Sequence, residues 1–174
     1  MREKFLIAVI IIFSLVLCGC SNSKNISTDY LVNELEAYFS KELHSCKYVY
    51  KKSASQYSRS FLTSELAGII YYGVRTEKLW ELDLLSDYSI RLADDESCFE
   101  IHILKVRSRS DVDTIEKMLR KRLEYLQNRS VYIYIPDDYE EHIMSAQVYV
   151  IESFVVFLST PDNARAYEIL KSII

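Results

Sequence analysis

The stretch SAQVYVIESFVVFLSTP, residues 145–161, contains the clearest strand pair of the chain. Ser145–Ile151 and Phe154–Ser159 are rich in β-branched and aromatic residues, and Glu152–Ser153 between them predicts a tight turn. The second run is apolar at its first five positions, which predicts a strand covered on both faces. These residues therefore predict a β-hairpin inside the core.

The same order of elements occurs once before this hairpin. Ser89–Ala93 and Cys98–Val106 predict two strands, and Ser110–Asn128 has apolar residues at helical spacing. After the hairpin, Thr160 as N-cap and Pro161 at the first position predict a C-terminal helix. Two strand-strand-helix units favour an α+β domain with a four-stranded, largely antiparallel sheet and the helices of the two units on one face.

The residues before this repeat predict additional helices that cover the second side of the sheet. A short strand at Tyr48–Tyr50 is a further possibility, and Ser130–Asp138 fits either a fifth strand or a helix that ends before Pro136. The three predicted N-terminal helices are Asp29–Leu43 with Thr28 as N-cap, Thr63–Tyr72 closed by Gly73, and Thr76–Leu85.

The start of the chain has the layout of a secretory signal. Arg2 and Lys4 precede the apolar run Phe5–Leu17, which is shorter than the roughly 20 residues that a membrane-spanning helix needs. We expect an exported precursor; the alternative is a permanent N-terminal membrane span.

The sequence Leu17-Cys18-Gly19-Cys20 resembles a bacterial lipobox. Gly19 leaves room for the peptidase beside the scissile bond, and the Cys20 thiol accepts a diacylglyceryl group as a thioether. Two acyl chains hold a protein stably on a membrane. We therefore expect residues 1–19 to be a lipoprotein signal peptide, residues 20–28 a lipidated cysteine with its tether, and residues 29–174 one domain at the outer face of a bacterial cell membrane.

The last 110 residues or so resemble a known family. The positions that carry the resemblance are Tyr72-Gly73, Glu100-Ile101, Arg122, Gln127, Tyr134, Pro136 and the strands 146–151 and 154–159. Together with the lipobox, they resemble a bacterial lipoprotein family catalogued as domain of unknown function 4358. The resemblance implies a lipidated exported protein with one such domain, and it implies no activity.

One pair of residues suggests chemistry. Glu100 and His102 alternate onto the same face of a predicted strand, where their Cα atoms lie about 6.5 Å apart. A carboxylate can orient an imidazole for general-base catalysis. The alternative is that both side chains belong to the polar face of a half-buried strand, an arrangement that strand alternation alone produces often.

The other polar clusters do not have the spacing of a cofactor or metal site, so we expect neither. His44 and Cys46 are spaced like one pair of metal ligands, but no second pair follows. Asp137, Asp138, Glu140 and Glu141 lack the glycine-punctuated spacing of a calcium loop. A disulfide between Cys46 and Cys98 is compatible with an exported location, as are two separate buried thiols.

The charge of the chain limits its partners. The formal net charge is −4, which argues against nucleic-acid binding. One region of the chain is locally basic. It either binds anionic head groups or wall polymers, or it is simply a helix face exposed to solvent. Its residues are Arg107, Arg109, Lys117, Arg120, Lys121, Arg122 and Arg129. The region before residue 60 is rich in tyrosine, a residue type that anchors many interfaces.

These observations predict a membrane-anchored extracytoplasmic lipoprotein that binds an envelope protein or polymer. The predicted surface is the sheet face or the tyrosine-rich region before residue 60. The alternative is a small exported enzyme that uses Glu100 and His102.

Overall fold

A computed structural model describes residues 25–40, 46–93, 99–130 and 137–174. Within them, five strands form one antiparallel sheet in the order β1-β2-β3-β5-β4. The strands are β1 Tyr48–Lys51, β2 Leu85–Leu92, β3 Glu100–Val106, β4 Gln147–Ile151 and β5 Phe154–Ser159. The prediction of an α+β fold is confirmed, with five strands in place of four.

The helices are distributed before, between and after the strands. They are α1 Thr28–Tyr38, α2 Ser64–Tyr72, α3 Val112–Ser130, α4 Asp137–Ser145 and α5 Asn163–Ile173, with short 3-10 helices at Trp80–Leu84 and Arg109–Asp111. None of the helices within the described ranges has both the length and the apolar character needed to cross a bilayer. Of the ambiguous segment 130–138, residues 131–136 lie outside the described residues, and α4 begins at Asp137.

Helices cover both faces of the sheet. On one face, α1 and α5 pack against Ile101 and Ile103 of β3, and on the other α2, α3 and α4 pack against Leu104. The sequence predicted two strand-strand-helix units, and α3 and α5 are their helices. The prediction that both helices lie on one face was wrong. They lie on opposite faces because β5 is apolar on both: Val156 faces one core and Val155 the other.

Three local predictions were wrong. The segment Thr76–Leu85 forms only the 3-10 helix Trp80–Leu84, because β2 already begins at Leu85, where the Arg107 amide binds the Leu84 carbonyl. The N-cap of α1 is Ser27 and not Thr28. The N-cap of α5 is Asp162 and not Thr160, because the Thr160 hydroxyl donates to Asn163 Oδ1 instead, and the first helical residue is Asn163 and not Pro161.

The end of α2 agrees with its sequence. Gly73 lies at the C-cap with φ of 69°, a left-handed conformation that costs glycine little, and its amide donates to the carbonyl groups of Gly68 and Ile69. The chain then turns back along α2, and Val74 and Thr76 pack directly against Gly68. This close approach fixes the segment that leads to β2.

We predict that Gly68→Ala lowers the free energy of unfolding by about 1–3 kcal/mol, because overpacking forces neighbouring groups apart. A Cβ at Gly68 would lie 2.6 Å from both Val74 O and Thr76 Cγ2. Urea denaturation measures the change, and Ile69→Ala on the exposed side of the same helix serves as the control, with an expected loss below about 1 kcal/mol. Equal losses in the two variants would contradict the close approach.

Candidate functional site

Glu100 and His102 project from β3 onto the face that α2 and α3 cover. His102 Nε2 lies 3.1 Å from Glu100 Oε2, so the pairing expected from strand alternation is present. The opposite register positions, Phe99, Ile101 and Ile103, belong to the core beneath α1 and α5. Cys98 lies outside the described residues, so the structure does not test a disulfide between Cys46 and Cys98.

Two further side chains complete a buried network. Arg122 of α3 donates through Nε to Glu100 Oε2 at 2.9 Å, and its Nη2 contacts Glu100 Oε1. The hydroxyl of Tyr71, from α2, lies 3.0 Å from His102 Nδ1. Arg122 Nη1 also donates to the Ile70 carbonyl at 3.2 Å. The buried network of Tyr71, Glu100, His102 and Arg122 thus joins two helices to the central strand.

The hydrogen bonds assign the protons. An ionised Glu100 only accepts, so His102 Nε2 carries the proton that it donates, and Nδ1 accepts from the Tyr71 hydroxyl. Burial lowers the pKa of His102, which keeps the imidazole neutral. Burial opposes ionisation of Glu100, but the Arg122 charge and the hydrogen bonds outweigh it and bring the pKa of Glu100 to about 2. Burial raises the pKa of Tyr71.

The network is enclosed by the core. His102 is 0% exposed, Glu100 3% and Tyr71 1%. The Phe157 ring packs edge-on against the His102 ring, with centroids 5.3 Å apart. A substrate in solution therefore cannot touch the Glu100–His102 pair in this structure, and the network acts as a connection between α2, β3 and α3.

Sequence reasoning placed Arg122 in an exposed basic region and did not single out Tyr71 for the network. A signal for Arg122 was present: the position falls between Leu119 and Leu126, three residues after one and four before the other, and so inside the apolar stripe of α3. Arg120 of the same basic region lies on the solvent side of α3, where it pairs with Glu116 at 2.5 Å.

The tyrosines that the structure describes divide into buried and exposed members. Tyr50 and Tyr71 are core residues, Tyr48 and Tyr72 are about 40% exposed, and Tyr57 is 90% exposed. Tyr132, Tyr134 and the side chain of Tyr139 lie outside the described residues, as does His44. Across the described ranges, no three or more histidine, cysteine, aspartate or glutamate side chains are arranged to hold a metal ion.

A cleft of about 760 Å³ opens beside the N-terminal half of α2. Its walls come from residues 61–65, residues 75–79 and the 3-10 helix, and Lys52 and Tyr88 close one side. The volume lies within the range of about 300–1,000 Å³ that is typical of small-molecule sites. Sequence reasoning missed this cleft because its walls come from distant segments.

Ion pairs and an aromatic contact organise the rim of the cleft. Arg75 Nη1 lies 3.2 Å from Glu65 Oε1, and the Lys78 ammonium lies 3.8 Å from Asp83 Oδ2. The Lys52 ammonium lies 5.8 Å from the centroid of the Tyr88 ring. The cleft therefore has fixed charges at its mouth.

Comparison of the chain with protein-family models, curated proteins and solved structures finds no match. The function is therefore argued from the geometry of the network and the cleft.

We predict that Arg122→Met lowers the free energy of unfolding by about 3–5 kcal/mol, because it leaves the Glu100 charge buried without its partner. The matched control is Arg120→Met, two residues earlier on the solvent side of α3, where the ion pair to Glu116 is worth less than about 1 kcal/mol. Urea denaturation at pH 7 measures both variants. Similar losses would show that the network does not support the core.

We predict that acid destabilises the protein through this network. The pKa of Glu100 lies near 2 in the fold, against 4.5 for a free glutamate side chain, so its contribution is present above about pH 4.5 and is lost as the pH falls toward 2. His102 has a lowered pKa, so its protonation in the unfolded chain below about pH 6.5 also favours unfolding.

Urea denaturation between pH 7 and pH 3 measures this effect. The comparison protein carries Glu100→Leu, His102→Leu and Arg122→Met together, which removes the titrating pair and its counter-ion. We expect a distinctly shallower loss of stability with acid in this triple variant. An identical pH profile would place the origin of the acid sensitivity elsewhere.

Proposed function

We propose that this chain is a lipid-anchored extracytoplasmic lipoprotein whose domain binds a ligand or partner without catalysing a reaction. The observation that carries the binding role is the contrast between two sites. The Glu100–His102 pair is sealed in the core, whereas the cleft beside α2 is open and has charged residues at its mouth.

The anchoring half of the proposal is supported by residues 1–20. The basic start, the apolar run and the lipobox with Gly19 and Cys20 have the layout of a lipoprotein precursor. Diacylation of Cys20 would supply two chains, and each buried CH₂ contributes about 0.8 kcal/mol to membrane attachment.

The start of the domain supports a short tether. Lys105 Nζ donates to Asn25 Oδ1 at 3.3 Å and to the Ile26 carbonyl at 3.2 Å. The Thr28 amide donates to Asp87 Oδ2 at 2.8 Å. Residues 25–28, which the sequence assigned to the tether, are thus bonded to the domain. The five Cα–Cα steps from Cys20 to Asn25 span at most about 18 Å.

The binding surface differs from the first expectation. We expected a partner on the sheet face, but helices cover both faces of the sheet, and β5 is buried along its length. The tyrosine-rich region before residue 60 contributes Lys52 to the cleft. We therefore place ligand binding in the cleft.

The enzymatic alternative depended on Glu100 and His102. General-base catalysis requires the imidazole to reach a proton of the substrate. Both ring nitrogens of His102 are instead hydrogen bonded inside the core, one to Glu100 and the other to Tyr71. No described contact of the pair favours catalysis, and we do not propose it.

We predict that the protein isolated from the membrane fraction of a bacterial host lacks residues 1–19 and carries a diacylglyceryl mass. Intact-protein mass spectrometry measures both changes. In Cys20→Ala both should be abolished, since only the thiol accepts the lipid, whereas Cys46→Ala should be processed like the wild type. An unprocessed, lipid-free wild-type chain would contradict the proposal.

A further inference from the structure

The cleft and the tether lie at the same end of the sheet but on opposite faces, because Tyr88 of the cleft packs on the side of α2 and α3, whereas Lys105 lies over Phe154 on the side of α1 and α5. Lys52, at the mouth of the cleft, directly follows β1, and Asp83 lies two residues before β2. β1 and β2 are antiparallel, Lys51 at the end of β1 pairs with Ser89, and the Lys52 amide donates to the Tyr88 carbonyl in the first half of β2. Lys105, which holds Asn25, lies near the end of β3 and is paired with Asp87 near the start of β2.

This arrangement brings the cleft close to the membrane that anchors the chain. If Cys20 is lipidated, Asn25 stays within about 18 Å of the lipid surface. The tether end of the sheet is then the part of the domain nearest the bilayer. Phospholipids are the molecules present there at the highest concentration. Because the anchor keeps the chain at the bilayer, their head groups have a high effective concentration at the mouth of the cleft.

Two charged side chains at the cleft, Lys52 and Glu77, take no part in the ion pairs of the rim. Among the residues that the structure describes, no carboxylate lies within ion-pair distance of the Lys52 ammonium, and no cation lies within that distance of the Glu77 carboxylate. Both side chains are exposed. A ligand that satisfies both carries an anionic and a cationic group, as a zwitterionic head group does.

The lining of the cleft also includes a group of apolar residues. Leu62 and Leu79 are buried core residues, Phe61 and Leu82 are partly buried, and all four line the cleft with Tyr88. Tyr88 packs beneath the Lys52 side chain. Such a wall fits the glycerol backbone and the first methylene groups of an acyl chain, because their burial removes apolar surface from water.

We propose that the cleft binds one phospholipid of the anchoring membrane by its ammonium-phosphate head group. Lys52 binds the phosphate, Glu77 binds the ammonium group, and the apolar wall takes the glycerol region. The inference rests on the proposed lipid anchor, which brings the bilayer to this end of the domain.

Native mass spectrometry of the mature protein in uncharged detergent tests the proposal. Added phosphatidylethanolamine should give a species with one non-covalent lipid, and phosphatidylglycerol, which lacks the ammonium group, should be retained less. Lys52→Gln should weaken retention of both lipids about tenfold, the effect of losing one charge-assisted hydrogen bond. Glu77→Gln should weaken only phosphatidylethanolamine, to the level of phosphatidylglycerol.

Lys171→Gln is the matched control for Lys52→Gln. The Lys171 ammonium lies 5.6 Å from the centroid of the Tyr167 ring on α5, across the sheet from the cleft. This variant should retain phospholipid like the wild type, and Lys52→Arg should restore retention if the charge is what matters. Circular dichroism confirms that each variant is folded.

Equal retention by the wild type, Lys52→Gln and Lys171→Gln would overturn the proposal. Preferential retention of phosphatidylglycerol, unchanged in Glu77→Gln, would overturn the assignment of a zwitterionic head group. The same spectra report the covalent mass of the chain. A lipidated chain without selective retention rejects the cleft assignment alone, whereas an unlipidated chain rejects the anchor on which it rests.

Discussion

The ion pair between Arg122 and Glu100 is the interaction on which the rest of the core depends. Two ions are taken out of water in the middle of the sheet, which costs several kcal/mol each unless they are paired and fully hydrogen bonded. Here Arg122 Nη1 also donates to the Ile70 carbonyl, and Glu100 also accepts from His102. The arrangement is satisfied only when α2, β3 and α3 take one relative position, so it selects that packing against alternatives of similar hydrophobicity.

The second constraint is the apolar character of β5 on both faces. A strand with Val155 and Val156 equally buried needs a helix layer on each side, and this requirement places α3 and α5 on opposite faces. It also leaves the sheet without an open face for a partner. Among the surfaces that the described residues form, the loops and the cleft at the ends of the strands stay open, and backbone positions there vary without loss of the core.

The sequence predicted the elements whose signals are local. The hairpin of β4 and β5, the alternation of Glu100 and His102, and the glycine that closes α2 at Gly73 all follow from residues within one strand or turn. Prediction from the sequence failed where tertiary contacts determine the local structure. Residues 76–85 have helical spacing, but pairing of Leu85 with Val106 extends β2 into them. Arg122 looks like a surface cation until its place on the apolar stripe is noticed.

The buried network and the cleft are connected through α2. At its C-terminal end, the Ile70 carbonyl and the Tyr71 hydroxyl are held by Arg122 and His102. At its N-terminal end, Thr63 caps the helix through the Leu66 amide and lines the cleft. A helix fixed at one end by a buried ion pair presents a rigid wall at the other, and a rigid wall lowers the ordering cost of binding. In the proposed binding role, the side chains that suggested catalysis would act at a distance, by holding the cleft in shape.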